Sequence, residues 1–255
     1  MELIIIILLI TIVTIVLLKL LWNFFHPEYV FISLDGNIGS GKSTLLNKIM
    51  EHIPNVIVIQ EPVKEWLSIT DENGRNFLEV FYEDKKRWSY TFQNLAYLTR
   101  MKLLFDALDN INTITFKNIW NRILGNKFII ISERSILTDK NTFAKMLKDS
   151  DDMNNMEYSL YNKCFPVLLN RVKMSNVIYL QTDPTKSFER LTFRNRNEEK
   201  KIPLGYIESV NEYHNKWLCN NDDIRVLILD GNNDFETDDI KNKLNLITMI
   251  SKIKE

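Results

Sequence analysis

Eight consecutive residues, Gly36-Asn37-Ile38-Gly39-Ser40-Gly41-Lys42-Ser43, fit the pattern GxxxxGK[ST], whose chemistry is the cradling of a nucleotide's phosphates. Glycines there let successive backbone N–H groups turn inward and allow the chain to approach an anion closely. A helix leaving the loop, read from Thr44 to Met50, adds the positive end of its dipole. Lys42 would reach the β- and γ-phosphates, and the Ser43 hydroxyl would ligate Mg²⁺. The chain holds seven glycines, three of them within residues 36–41, so composition alone does not produce this cluster. An ordinary turn before a helix needs no Lys-Ser after its last glycine.

A phosphate loop by itself suits a switch, a motor or a transferase. No Asn/Thr-Lys-x-Asp element for guanine stands at a strand end; Thr138-Asp139-Lys140-Asn141 carries the letters in another order. The apolar run Phe128–Ser132 leads into Glu133-Arg134-Ser135, where motor ATPases place an aspartate. Both observations point away from GTPases and motors. Val56–Gln60 ends in Glu61-Pro62, and a carboxylate there could accept the proton of an attacking hydroxyl. The plainer reading is a carboxylate that caps a turn. Trp88 and Phe92 have core spacing on a helix read over Tyr82–Arg100. Gln93, beside them, offers an amide that suits a nucleobase edge, or is simply half-exposed. Arg190, Arg194 and Arg196 punctuate a charged stretch. Such runs usually form a solvated face, yet a lid over phosphates would also lie there.

These side chains need a scaffold. Tyr29–Asp35, Val56–Gln60, Phe128–Ser132, Val177–Gln181 and Arg225–Leu229 are short apolar runs rich in β-branched residues, the signature of parallel strands buried on both faces. Longer segments with helical spacing separate them, including Trp88–Leu108, Thr138–Lys148 and Ile207–Trp217. The alternation predicts a three-layer α/β fold. In open parallel sheets the ligand sits at the carboxyl ends of the strands, which is where the loop, Glu61 and Glu133-Arg134 all fall.

The amino terminus is of another kind. Leu3–Leu18 carries no charge and only Thr11 and Thr14 as polar residues. With Lys19 snorkelling, the span over residues 3–22 reaches about 20 residues, one bilayer crossing. Trp22, Phe24 and Phe25 suit an interfacial aromatic belt. The segment lacks the basic start and small-residue cleavage site of a signal peptide, and the Arg and Ser of a mitochondrial presequence. Residues 1–28 therefore read as a single-pass anchor and 29–255 as one domain, placed in the cytosol by Lys19 after the span.

Charge is balanced, 32 Lys plus Arg against 33 Asp plus Glu, which speaks against a nucleic-acid binder. Two cysteines, Cys164 and Cys219, stand far apart and read as reduced thiols, buried or half-buried. His26, His52 and His214 lack ligand spacing, so no structural metal site is expected.

Taken together, GNIGSGKST, EPVKEW, YEDKKRWSYTFQ, ERSILTDKNTFAKML, YLQTDPTKSFERLTFRNRNEEKKIPLGYIESVNEYHNKWL and LDGNNDF resemble the deoxynucleoside kinase family, closest to deoxycytidine and deoxyguanosine kinases. The match runs in family order over about residues 29–250. The resemblance implies a P-loop kinase fold with a five-stranded parallel sheet, and ATP-dependent phosphorylation of a deoxynucleoside 5′-hydroxyl. It implies Glu61 as general base, Arg134 as its partner, and Glu133 assisting Ser43 with Mg²⁺. Gln93 would pair with the base, and Trp66, Phe92 and Phe143 would pack around it. Tyr82 and Glu199 would hold the sugar 3′-hydroxyl. Gly36 through Thr44, with the lid Arg190, Arg194 and Arg196 and the adenine-side Asp234 and Phe235, would bind ATP. Base preference hangs on Ala96, Arg100 and Asp139; in the family such an Arg and Asp go with deoxycytidine and purine deoxynucleosides rather than thymidine. The alternatives are a monophosphate kinase of the same superfamily, or a membrane-bound nucleotide-binding scaffold that has lost catalysis. Two features depart from the family: the apolar head, and an inserted stretch at Ile111–Ile123. Relatives dimerise through neighbouring helices, so the insertion leaves a homodimer an open expectation, and its Phe116, Ile119 and Trp120 could equally face a membrane.

Overall fold

A computed structural model describes residues 1–53, 56–116, 118–169, 172, 174, 176–219, 221 and 223–233. Its centre is one parallel sheet of β1 (Tyr29–Gly36), β2 (Val56–Ile59), β3 (Phe128–Glu133), β4 (Asn176–Gln181) and β5 (Arg225–Asp230), in the order β2-β3-β1-β4-β5. Each expected run is a strand, with ends moved by a residue. Alternation along β1 makes the three layers. Phe31 joins the core formed with the longest helix, while Ile32 and Leu34 pack on the opposite face with Leu45, Leu46 and Ile49. Fully burying such a side chain contributes roughly 1.5–3 kcal/mol.

Two expectations about the strands change at the sheet edges. Val56–Gln60 and Arg225–Leu229 were expected to be covered on both faces. In β2 and β5 only Ile59 and Leu229 are buried, because an edge strand lacks a neighbour on one side.

The helices in chain order are α1 (Glu2–Phe25), α2 (Lys42–His52), α3 (Val63–Ser68), α4 (Phe77–Glu83), α5 (Lys85–Asn112), α6 (Ile119–Leu124), α7 (Ile136–Thr138), α8 (Lys145–Asp149), α9 (Asn155–Leu169), α10 (Pro184–Arg194) and α11 (Leu204–Leu218). The segment read as one helix over Tyr82–Arg100 is two. Asp84 leaves helical geometry and its carboxylate accepts the backbone N–H of Arg87 at 3.1 Å, so it caps α5 and ends α4. Tyr82 and Gln93 thus come from different helices. The stretch Thr138–Lys148 is not a regular helix either: Asp139–Ala144 is wound as a π-helix between α7 and α8, a form concentrated at functional sites.

α1 is the one helix among the described residues that is long and apolar enough to cross a membrane, and none of it is buried. The hydroxyls of Thr11 and Thr14 each donate to the carbonyl four residues earlier at 2.8 Å, so its two polar side chains are satisfied within the helix. Both cysteines are free and exposed, contrary to the expectation that they would be buried or half-buried. Cys164 lies on α9 and Cys219 just past α11, and neither position turns toward the core.

Candidate active site

The sheet reverses its winding at β1, which lies between β3 and β4. A crevice opens at the carboxyl end of such a switch point. Into it the chain from β1 sends Gly36–Gly41, closing onto the first turn of α2. A Cβ on Gly36 would stand 2.6 Å from the Leu180 carbonyl oxygen, so β4 and β1 leave room for glycine alone. Gly39 has φ +78, and a Cβ there would stand 2.2 Å from the Ser187 carbonyl oxygen on α10. Gly39→Ala is expected to cost about 1–3 kcal/mol through strain and displacement of α10, read as a lower urea midpoint of the full chain. Asn37 anchors the loop from behind, its amide donating to the Ile207 carbonyl of α11 at 2.8 Å.

Lys42 is buried in the first turn of α2. Its ammonium donates to the carbonyls of Gly36 (3.1 Å) and Asn37 (2.6 Å). Burial first, then the Arg134 guanidinium, pulls its pKa down to about 7, against Glu133, Glu61 and Asp35. Ser43 Oγ lies 3.2 Å from both carboxylate oxygens of Glu133 at the end of β3. A hydroxyl and a carboxylate so placed are hard oxygen donors that fit Mg²⁺, which takes one or two protein oxygens and completes its shell with phosphates and water. Among the described residues no cluster of three or more His, Cys, Asp or Glu could hold a metal without such help.

Glu61 follows β2 and is held by two guanidinium groups. Arg134 Nη1 donates to its Oε1 at 2.6 Å, and Arg100 Nη2 donates to the same oxygen at 2.5 Å. Burial would raise the Glu61 pKa, but Arg134 and Arg100 more than reverse it and hold the carboxyl well below the usual range. Arg134 has φ 62, a left-handed conformation that costs a non-glycine residue energy and tends to occur at functional sites. The turn is fixed by its N–H, which bonds the Leu34 carbonyl at 2.9 Å, and its guanidinium lies 5.1 Å from the centre of the Phe143 ring.

Arg100, from α5, reaches across the crevice. Its Nε contacts Asp139 of the π-helix at 3.0 Å and Nη1 donates to the Glu133 carbonyl at 2.9 Å. Asp139 is buried, and burial pushes its pKa up to about 6 although Arg100 pulls the other way. Gln93, about two turns earlier on α5, is buried rather than half-exposed, and its Oε1 has no hydrogen-bond partner. An unpaired buried amide oxygen is costly and marks a place for a donor. Trp66 and Phe92 meet edge to face at 5.2 Å beside it.

Gly39, Lys42, Ser43, Glu61, Trp66, Phe92, Gln93, Arg100, Glu133, Arg134, Asp139 and Phe143 line one cavity of about 700 Å³, with Ala96, Tyr82, Arg194, Arg196 and Glu199. Arg194 grips Glu199 through Nη2 at 2.5 and 2.7 Å. Arg190 is not in the cavity wall: its Nη1 donates to the carbonyls of Ser40 (3.2 Å) and Gly231 (2.6 Å), tying α10 to the loop. Asp234 and Phe235 lie outside the described residues. Sequence reasoning passed over Tyr206 and Glu198, which also line the cavity, and Asp35. The Asp35 carboxylate is fully buried and accepts from Ser33 Oγ at 2.6 Å and from Thr138 Oγ1. The signal for it was available: a charged residue ending an apolar strand directly before the loop must find partners.

With this geometry in view, comparison with known proteins is direct. The family model for deoxynucleoside kinase matches residues 32–254. The chain is 35% identical over 213 residues to the probable deoxycytidine kinase of fowlpox virus, covering 81% of each chain. It is 31% identical to human deoxycytidine kinase over 249 residues, 88% of this chain and 89% of that one. It is 32% identical to the mitochondrial deoxyguanosine kinase of Xenopus laevis over 228 residues, 80% and 82% of the two chains. The chain belongs to the deoxynucleoside kinase family and is a kinase.

Proposed function

We propose that residues 29–255 transfer the γ-phosphoryl group of ATP to the 5′-hydroxyl of a deoxynucleoside, with deoxycytidine and purine deoxynucleosides preferred to thymidine, and that residues 1–28 tether this domain at the cytosolic face of a membrane. The observation that carries the reading is that Glu61, locked by Arg134 and Arg100, lines one cavity with Lys42 and Ser43 of the phosphate loop and with Gln93 of α5. One cavity therefore offers partners for the acceptor oxygen, the phosphates and the base. Glu61 accepts the hydroxyl proton while the oxygen bonds to phosphorus, and the bond to the β-phosphate oxygen breaks. The low pKa of Glu61 makes it a weak base, which is enough where the transition state is loose and little proton transfer is needed early. Arg134 and Lys42 stabilise charge on the transferred group, with Arg194 and Arg196 closing from the lid side. Mg²⁺, held by Ser43 and Glu133, would neutralise charge on the β- and γ-phosphate oxygens. Gln93 pairs with the base edge, and Tyr82 and Glu199 take the 3′-hydroxyl. Burial, with neighbouring Tyr206 and Glu199, keeps the Tyr82 phenol pKa well above normal, so it serves as a neutral donor. Arg100 and Asp139 crowd the position where thymine carries its methyl.

The test that separates this reading from a monophosphate kinase is the acceptor. With γ-labelled ATP, label is expected in dCMP when deoxycytidine is supplied. Label passing only to added dCMP, yielding the diphosphate, would contradict it.

Lys42 gives a second expected result. Its pKa near 7 in the free protein means that ATP, which favours the ammonium form, must draw in a proton above that pH. Calorimetric titration of ATP at about pH 8 in buffers of different ionisation enthalpy should report uptake approaching one proton, and little at about pH 6. Equal uptake at both would remove Lys42 from the phosphate site.

A further inference from the structure

We propose that the inserted segment following α5, centred on α6, is a membrane-contact element: it clamps the end of α1 and lays an aromatic face into the lipid–water interface. This rests on the reading of α1 as a bilayer anchor. The clamp is Arg122, a buried arginine on α6. Its Nε donates to the Phe24 carbonyl in the last turn of α1 at 2.7 Å, and its Nη1 to the carbonyls of Ile111 (2.8 Å) and Asn112 (3.1 Å) that end α5. One guanidinium thereby satisfies the free carbonyls of two helix ends, and lies 5.4 Å from the Phe24 ring centre. Gly125 packs so closely on Asn23 that a Cβ would stand 2.5 Å from its amide nitrogen. Asn118 holds the preceding loop, donating to the Thr113 carbonyl at 2.8 Å and accepting the Thr115 N–H at 3.0 Å. α1 is therefore joined to the domain by a built contact as well as by the short chain to β1.

A helix clamped this way brings its surroundings with it. The boundary of any bilayer that takes up α1 falls near Trp22 and Phe25, and α6 lies within hydrogen-bond distance of that turn. At this level the insertion exposes Phe116 (89%) and Trp120 (64%), and Leu124 (65%), the residue after the insertion on α6, is equally open. Trp120 and Leu124 share one face of α6 at i, i+4 spacing, opposite to what Arg122 buries. Large apolar and aromatic side chains left this open are unfavourable in water and suit the headgroup region. Charge does not oppose this: between Asn110 and Lys127 the sequence holds no acidic residue, so no carboxylate of the stretch repels a phosphate-bearing surface.

The test uses the full chain with Cys164→Ser and Cys219→Ser, since both native thiols are exposed. One fluorophore is attached through Trp120→Cys, or through Leu124→Cys as a second position on the same face. The protein is placed in phosphatidylcholine vesicles containing lipids brominated at shallow or deep acyl positions. Labels at 120 and 124 are expected to lose most of their emission to shallow bromines, a label at Ile10→Cys to deep ones, and a label at Ile228→Cys on the far edge strand to neither. Quenching at 10 but at neither 120 nor 124 overturns the contact element and leaves the anchor standing. No quenching at any position overturns both. A label at 120 that is shielded from aqueous iodide yet untouched by bromolipid assigns this face to a second copy of the chain, which also overturns the proposal.

Discussion

Glu61→Gln is expected to lower turnover about 10²-fold or more while ATP binding stays close to normal. The substitution keeps the shape and still offers an amide oxygen to Arg134 and Arg100, whose bonds to Glu61 are 2.6 and 2.5 Å. What it removes is the negative charge and the ability to take a proton, which the proposed reaction uses at the acceptor hydroxyl and not at the phosphate loop. The pH profile adds a second readout. Because the two guanidinium groups hold Glu61 below the ordinary carboxylate value of about 4.3, it stays ionised throughout the working range, and no limb of the kcat profile between about pH 5 and 8 should belong to it. The sign for stability follows. A depressed carboxylate pKa contributes stability that is fully present above the unfolded value and is lost as pH falls through the folded one. Steady-state kinetics of the variant with ATP titration check both statements; near-normal turnover would remove Glu61 from the chemistry.

Arg100→Met has the larger effect on the fold. Arg100 joins Glu61, Asp139 and the Glu133 carbonyl, and it is buried. Removing it takes away the ion-pair partner of Asp139 in a site where burial already pushes its pKa up to about 6. Breaking a buried pair from one side costs about 3–5 kcal/mol, and that is the expected loss in urea unfolding at neutral pH. The sign of its pH dependence is fixed. A carboxylate whose folded pKa lies above its unfolded one binds more protons in the folded state, so stability falls as pH rises through that window. Arg100 pulls that pKa down, so in the variant Asp139 takes up its proton at a higher pH than in the parent protein, and the deficit should shrink as pH falls from neutral. Adding Asp139→Ala removes the stranded acid and should recover most of the loss. The same pair bears on specificity. With the charged pair replaced by Met and Ala, the wall is apolar and offers a methyl group a contact worth about 1–3 kcal/mol. The double variant should raise thymidine turnover relative to deoxycytidine by tenfold or more, measured as the ratio of kcat/KM values. An unchanged ratio would show that base preference is set elsewhere.

The sequence was most informative where one residue type answers one local demand. Gly36, Gly39 and Gly41 stand in a loop with φ values of +151, +78 and +101, and the apolar runs pair as parallel strands because nothing but a sheet neighbour satisfies their backbones. Glu61, Glu133 and Arg134 could be placed in one crevice from strand ends alone, since parallel strands deliver their ends to one side. The base end of the site was harder. Gln93 and Tyr82 were readable as residues but not as parts of two helices, because the break depends on a single cap, Asp84. The π-helix that turns Asp139 and Phe143 inward leaves no periodic mark in six residues. Tyr206 and Glu198 needed the folded contacts, as did the exposure of Cys164 and Cys219. The clamp between Arg122 and Phe24 joins residues 98 apart in sequence, and an arginine bonding backbone carbonyls carries no pattern at all.

The central claim is that this cavity phosphorylates deoxynucleosides at the 5′-hydroxyl. The most direct measurement supplies the full chain in phosphatidylcholine vesicles with ATP, Mg²⁺ and each of the four deoxynucleosides, and follows monophosphate formation. Turnover of deoxycytidine and purine deoxynucleosides in excess of thymidine is the expected result. Bound ATP with no monophosphate formed from any of the four would contradict it.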